Sequence, residues 1–446
     1  MTPRRFVARI ERLLVLTSVF TLAGSTEAQA IDTDPLDVMP VPASVRRLEG
    51  SFALGDTLSV AVVGPPDERI ERALERFVSR LATRTDTAHR LDRVDEARRA
   101  TLVIDCPQPP IGPFPSLEDD ESYRLSVTSK AIALQSAGPV GVLRGLATLA
   151  QLPTRDGDAW ILPAVEIVDA PRFPWRGLLI DVVRHWQPRE VIERNLDAME
   201  AVKLNVLHLH LSDDQGFRVE SRTHPRLHEV ATAGDYYTHD EIRGLVEYAA
   251  DRGVRVVPEF GVPGHVTSWF VAYPELGSDP DHPPELPRPG GGLFSHALDP
   301  TREETYAFLD GLFGEMAELF PDSYVHVGGD EFSGESWRAD ERIREFMEEK
   351  GLEDTGALRG HFTSRVLEIV ADHGKVGVGW DGIIGAELPA GTVVQLWFPG
   401  ADPGHARSLV SGGFYLDHML HAAKYYTNEP LDHLPTEASP PRTVGR

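Results

Sequence analysis

From about Pro171 onward, short apolar runs alternate with segments whose apolar residues recur every three or four positions. The runs are GLLIDVV (177–183), LNVLHLHL (204–211), VRVVPEF (254–260), YVHVGGDE (324–331), VGVGWDG (376–382), VVQLWF (393–398) and FYLDHM (414–419). PREVIERNLDAMEAVK separates the first two and THDEIRGLVEYAADRG the next two, each with the helical period. Strands in series with helices are the pattern of parallel βα units, and runs this apolar favour a barrel over an open sheet. The expected fold is α/β, a (β/α)8-type TIM barrel with about seven strands evident, over residues 171–446. The Pro- and Gly-rich stretch 274–300 reads as an insertion looping over one end.

Residues 31–170 keep another rhythm and read as a small α/β domain. ERIERALERFVSRLAT has apolar residues at helical spacing, TLVIDC is a short strand, and YRLSV with AIALQS reads as a hairpin. GPVGVLRGLATLAQL then covers one face of that sheet as a helix. This region holds no cluster of His, Asp and Glu, so its expected role is structural or orienting. Residues 1–30 stand apart again: Arg4, Arg5, Arg9 and Arg12, an apolar run from Leu13 to Ala23, then small residues ending in AQA. That is the layout of a secretory signal cleaved after Ala30, with an apolar run too short to span a bilayer. The chain is therefore expected to be exported, to the periplasm or beyond, without stable membrane insertion.

Length and charge narrow the partners. A chain of 446 residues has room for both domains, and its formal charge of −25 repels nucleic acid and anionic membrane surfaces. One cysteine, Cys106, allows neither an internal disulfide nor a Cys-based metal site, and it reads as a small buried hydrophobe.

Polar residues stand at the far end of nearly every predicted strand: Asp181, His210 with Asp213, Glu259, Asp330 with Glu331, Trp380 with Asp381, Trp397, and Asp417. In a parallel barrel those ends converge on one face, where catalysis is built. Neighbours on a strand point to opposite faces, so Asp330 and Glu331 serve one pocket only where the strand stops. Gly328 and Gly329 let the backbone bend there. Adjacent carboxylates repel, which favours a protonated acid beside an ionised partner, the pair that glycosidic cleavage requires. Trp380, Trp397 and Tyr415 offer flat walls for a sugar ring, and Arg176 offers a fork of hydrogen bonds to hydroxyls.

Two competing chemistries use the same residues. His208 and His210 share one strand face and Asp213 follows them, a possible metal set, although no lysine stands at a strand end to complete an amidohydrolase-type site. GGDEF (328–332) matches the signature of diguanylate cyclases, which carry it on a hairpin tip and consume GTP; here it ends a parallel strand of an acidic chain.

In its motifs the chain resembles glycoside hydrolase family 20, the exo-β-N-acetylhexosaminidases. The matching pieces are RGLLIDVVRH (176–185), LNVLHLHLSDDQGFRVES (204–221), YTHDEIRGLVEYAADRGVRVVPEFGVPGH (237–265), YVHVGGDEFSGESW (324–337) and YLD (415–417), in order. The resemblance implies a retaining, substrate-assisted mechanism acting on N-acetylhexosamine-terminated glycans or chitin oligosaccharides, with no cofactor and no metal. Glu331 matches the general acid/base, and Asp330 the residue that holds the 2-acetamido group and stabilises the oxazolinium ion. Arg176 matches the Arg that grips the 3- and 4-hydroxyls, Tyr415 a donor to the acetamido carbonyl, and Asp417 a contact to the 4-hydroxyl. Trp380 and Trp397 match walls around the acetamido methyl, and His265 a pocket histidine.

Two departures modify the expectation. The family usually has an acid where Gly261 stands in PEFGVPGH, and its loss would weaken the orientation of His265. After YLD the family continues to an eighth strand with a Trp-x-Glu pair, whereas this chain runs on as the Pro-rich TEASPPRTVGR. A seven-stranded barrel with open edges and a gap beside the site is the expectation, read as a truncated or frameshifted form of an active ancestor. The alternative reading is a catalytically impaired, sugar-binding remnant.

Overall fold

The computed structural model describes residues 36–232, 234–277, 284–287, 296–398 and 400–434. The leader expected over 1–30 lies outside the described residues, as do 278–283 and 288–295 of the expected insertion.

The first sheet lies within residues 44–169 and runs, edge to edge, Ser44–Ala53, Ala159–Asp169, Tyr123–Val127, Ile132–Gln135, Leu102–Asp105, Thr57–Val63 and Arg90–Arg93. The expected hairpin forms, with Val127 opposite Ile132, and Cys106 is buried just past the Leu102–Asp105 strand. Helix Glu68–Thr85 starts where the Asp67 side chain accepts from the Arg69 backbone N–H, and it buries Ile70, Ala73, Leu74, Phe77 and Leu81 along one stripe. Helix Pro139–Leu149 is buried at every position, because it is packed against both this sheet and the barrel helix Arg189–Ala201.

The second sheet is parallel along seven strands: Gly177–Asp181, Val206–Asp213, Arg255–Phe260, Tyr324–His326, Val376–Trp380, Val393–Leu396 and Arg407–Val410. They are called the first to seventh strands below. Period-two alternation divides their side chains between two cores. Leu207, Leu209 and Leu211 pack outward with Ile192, Leu196 and Met199 of the following helix and with Ile242, Leu245 and Ala249 of helix His239–Ala250. Val206, Val257, Tyr324, Val378 and Val393 form the inner layer. Two residues further along the second to fifth strands the interior turns polar, with His208, Glu259, His326 and Trp380 all buried.

Among the described residues the first strand pairs only with the second, and the seventh only with the sixth. The described strands thus form a curled half-barrel with two free edges, and no residue of either edge strand is buried. One expectation is corrected here. The seventh strand is not FYLDHM (414–419) but Arg407–Val410, which pairs with Val393–Leu396. Gly412 packs against the Trp397 carbonyl, where a Cβ would lie 2.5 Å from the oxygen, and Gly413 has φ +78°. The chain turns out of the ladder there, and Leu416–His418 forms a 3-10 turn instead. No helix among the described residues is long and apolar enough to cross a membrane.

One buried carboxylate ties the two sheets together. Glu121 accepts from Arg144 Nε at 2.6 Å, Arg176 Nη2 at 2.5 Å and Asn205 Nδ2 at 2.9 Å. Burial pushes the Glu121 carboxyl up, but Arg144 and Arg176 outweigh it and hold it below the usual range. A depressed carboxyl stabilises the fold above its unfolded pKa, and that contribution is lost as pH falls through the folded value. Glu121→Gln should therefore cost about 3 kcal/mol in urea unfolding near neutrality, by stranding two guanidinium groups. The difference from wild type should narrow in acid; a pH-independent difference would mean the pair contributes nothing by charge.

Candidate active site

The fourth strand ends in a coil built for side chains to gather. Gly328, Gly329 and Glu331 have φ of +71°, +96° and +48°, so three of the four residues from 328 to 331 are left-handed. Space as well as φ demands glycine: a Cβ on Gly328 would lie 2.6 Å from the Gly261 Cα, and one on Gly329 2.6 Å from the Ile383 side chain. The coil turns Asp330 and Glu331 toward one partner, His265, whose Nε2 lies 3.9 Å from Asp330 and 3.5 Å from Glu331. Phe332 packs edge-on against the buried Trp337 at 4.4 Å, anchoring the turn from behind. The GGDEF string thus closes a parallel strand and leads into a hydrophobic anchor; no hairpin tip carries it.

His265 is held from its other side. Its Nδ1 lies 2.9 Å from Asp213 Oδ1 and 3.6 Å from Asp214 Oδ2. Burial opposes charge on this ring, yet its contacts with Asp213, Asp214 and Glu331 raise it far above the ordinary imidazole range. Burial likewise opposes charge on Asp213, but His210 and His265 hold its carboxyl far below the usual range. Gly261 is not needed for this orientation, so the weakening expected from the missing acid does not arise at His265: Asp213 supplies the anion. Asp330, by contrast, is pushed up to about 6, chiefly by burial, with His265 opposing and Glu259 assisting the shift.

An aromatic wall faces these acids. The Trp380 and Trp397 rings are 6.2 Å apart, and Trp397 stacks on Tyr415 at 6.0 Å and 22°. Trp380 is fixed by its indole N–H, which donates to Glu259 at 2.9 Å. The backbone of Trp397 and Phe398 is fixed by donation to Asp381 Oδ2 at 3.2 and 2.9 Å. Burial pushes the Tyr415 phenol up, and the charges of Asp330, Glu259, Glu331 and Asp417 add to it, so its O–H stays protonated. Asp417 is exposed on the turn after Tyr415.

Arg176 is not part of this gathering. It precedes the first strand, at the end of the sheet opposite the carboxylates, and its guanidinium is spent on Glu121, Phe173 O and Lys203 O. The cation at the strand ends is Arg184, eight residues later in the same motif, 2.7 Å from Asp213 and 3.1 Å from Asp181. Asp181 receives the Val183 and Arg184 backbone N–H groups at 2.9 Å each, which turns the chain so that Arg184 points inward. The signal that would have found it is position: Arg184 follows its strand, whereas Arg176 precedes it.

The metal reading of His208, His210 and Asp213 can be tested against geometry. Ligand atoms of His208, Glu259 and His326 lie within 4.8 Å of one another, as do those of Asp181, His210 and Asp213. Yet His208 Nε2 is 2.7 Å from Glu259, and His210 Nδ1 2.9 Å from it. With metal–ligand bonds of about 2.0–2.1 Å, ligand atoms around a tetrahedral ion stand more than 3 Å apart. His208 and Glu259 are therefore in direct contact, too close to hold an ion between them, whereas His210 Nε2 and Asp213 Oδ2 stand 3.1 Å apart as a hydrogen-bonded pair.

Comparison with known proteins shows the family of the chain. The model for the catalytic domain of glycosyl hydrolase family 20 matches residues 173–431, and that for domain 2 of the same family matches residues 36–170. The human beta-hexosaminidase subunit beta is 37% identical over 339 residues, covering 72% of this chain and 60% of that protein. The X-ray structure of Flavobacterium johnsoniae chitobiase superposes with a TM-score of 0.80 at 38% identity, over 89% of this chain and 62% of that one. Streptomyces plicatus N-acetyl-beta-hexosaminidase in complex with Thio-NAglucal gives a TM-score of 0.68 at 31% identity, over 82% and 70% of the two chains. The chain therefore spans about three-fifths of the length of the first two relatives.

Asp330 binds its proton more tightly when folded, so its ionisation costs stability as pH rises from about 4 to about 6. Asp330→Asn removes that cost. The variant should melt above wild type at pH 8, with the gap shrinking below pH 6; equal melting curves at both pH values would contradict the raised carboxyl.

Proposed function

The chain belongs to glycosyl hydrolase family 20, and we propose that its strand-end site removes terminal, non-reducing, β-linked N-acetylhexosamine with retention. The observation that carries this reading is the pair Asp330 and Glu331, bent by two glycines toward His265 and faced by the Trp380–Trp397–Tyr415 wall. The substrate class is glycans or chitin oligosaccharides ending in such a sugar. The basic and apolar leader of the sequence supports an exported site of action.

In the first step Glu331 gives its proton to the glycosidic oxygen. The acetamido carbonyl oxygen of the sugar bonds to C1 as the C1–oxygen bond to the leaving group breaks, leaving an oxazolinium ion. Asp330, as a carboxylate, takes the hydrogen bond of the acetamido N–H, and the Tyr415 O–H donates to the carbonyl oxygen. Trp380 and Trp397 enclose the methyl group. His265, charged between its carboxylates, supports the Glu331 carboxylate between steps. Glu331 then removes a proton from water as the water oxygen bonds to C1 and the ring of the intermediate opens. Two displacements at C1 return the original configuration.

Arg184 takes the part that motif resemblance gives to Arg176. It is the guanidinium on the face where the sugar's outer hydroxyls must lie, fixed by two carboxylates yet still partly exposed. Asp417, exposed beyond Tyr415, is placed to contact the 4-hydroxyl.

Release of nitrophenol from an aryl N-acetyl-β-glucosaminide tests the reading. Glu331→Gln should cost about 100-fold or more in kcat. If the purified protein releases no more than that variant, hydrolysis is wrong for this chain; calorimetric binding of N-acetylglucosamine-thiazoline would then leave a sugar-binding role. Because Asp330 must be ionised, kcat/KM should fall as pH drops below about 6. Arg184→Ala should raise KM by about tenfold or more, whereas Arg176→Ala should lower stability and leave KM within about twofold. The reverse outcome would return the hydroxyl contacts to Arg176.

A further inference from the structure

We propose that Glu259 and His210 are positioning residues for Glu331, the inner half of a carboxylate–imidazole chain running Glu259–His210–Asp213–His265–Glu331. The proposal rests on the hydrolase reading above and extends it to two side chains that touch neither the sugar nor the reacting atoms.

The chain is continuous in distance. Glu259 Oε2 lies 2.9 Å from His210 Nδ1, and His210 Nε2 lies 3.1 Å from Asp213 Oδ2. The other oxygen of Asp213 is 2.9 Å from His265 Nδ1, and His265 Nε2 is 3.5 Å from Glu331. Glu259, Asp213, His265 and Glu331 stand on different segments, so moving any one side chain disturbs the next. His210 is the informative member, because both ring nitrogens lie beside carboxylate oxygens, Nε2 in a hydrogen bond to Asp213 and Nδ1 at ion-pair distance from Glu259. A neutral imidazole has one donor and one lone pair, and the lone pair would then point at an anion. The doubly protonated ring instead sets a positive charge between the two carboxylates.

Glu259 sits at the origin for a second reason. It lies in the third strand, fully buried, in contact with His208 Nε2 at 2.7 Å and bonded to the Trp380 indole at 2.9 Å. Trp380 is the wall against which the acetamido methyl is placed. One carboxylate therefore sets both the acid/base chain and the surface that aligns the nucleophilic carbonyl with C1. Misplacing either by a fraction of an ångström is costly for a reaction whose nucleophile belongs to the substrate.

The titratable and charged groups around His210 come from every packed element: Asp181 and Arg184 at the first strand, Asp213 and His208 on its own strand, Glu259 on the third, His265 in the loop beyond it, and His326 on the fourth. Burial disfavours charge on His210, but Glu259 and Asp213 outweigh it and hold the ring well above the usual range.

Glu259→Gln in the full chain keeps the shape and removes the charge. Long-range proton–nitrogen spectra of histidine-labelled protein should show two imidazolium signals that persist to about pH 8 in wild type. Glu259→Gln should make one of them titrate below that pH, and His210→Asn should delete the same signal. The Gln variant should lose about 100-fold in kcat with KM changed less than about threefold, and the pH profile of kcat should shift. Trp380→Phe, which removes the indole link and leaves the Glu259 charge in place, should leave both signals unchanged. Wild-type kcat together with unchanged signals in a folded Glu259→Gln protein overturns the proposal. Should that variant not fold, His210→Gln takes its place: a comparable loss of kcat with one signal gone supports the proposal, and wild-type kcat overturns it. Should wild type show no turnover, the hydrolase reading fails by itself, and a single persistent imidazolium would show that His210 is not the bridge.

Discussion

Asp213 and Glu259 are enclosed among the strand ends, where an ionised carboxylate survives only if cations face it. Here the cations are the imidazoles of His210, on the second strand, and His265, in the loop after the third, with the Arg184 guanidinium beside Asp213. That pairing decides much else. It holds His208 and His210 turned into the barrel, it aims His265 at the turn after the fourth strand, and it fixes the indole of Trp380. The apolar layer beneath, from Val206 to Val393, excludes water and so makes the pairing above it mandatory.

Much of this is legible from strand ends. Parallel pairing delivers the C-terminal ends to one face, so the polar residues there are candidates before any contact is known. Asp330 and Glu331 are legible because two glycines precede them, and their positive φ angles are what lets both acids leave the strand on one side. Asp213 is visible as a strand-end acid, but from spacing alone it looks like a metal ligand. Its partner His265 lies 52 positions later, and nothing in sequence spacing joins the two.

The misses have separate causes. Motif resemblance points to Arg176 against the strand-end rule, and the rule picks Arg184. An aromatic run suggests the seventh strand, yet the Gly-Gly turn at 412–413 removes that run from the ladder and gives the pairing to four less apolar residues. The sharing of Glu259 among the second, third and fifth strands is invisible in sequence, because register, unlike periodicity, is a property of two strands at once.

The two adjacent acids at the fourth strand also bear on which sugars can enter. An N-acetylated amino sugar brings no net charge to Asp330 and Glu331, so the amide has only to displace water. A terminal sugar acid would carry its own carboxylate into a chain of charge −25 and toward two adjacent acids, against Coulomb repulsion. A deacetylated sugar presents the opposite case. Its ammonium would be drawn to Asp330, yet it has no carbonyl oxygen to attack C1. On the proposed mechanism the carboxylate assigned to the acetamide would then retain a ligand that cannot turn over, so chitin chains ending in a deacetylated sugar are expected to inhibit.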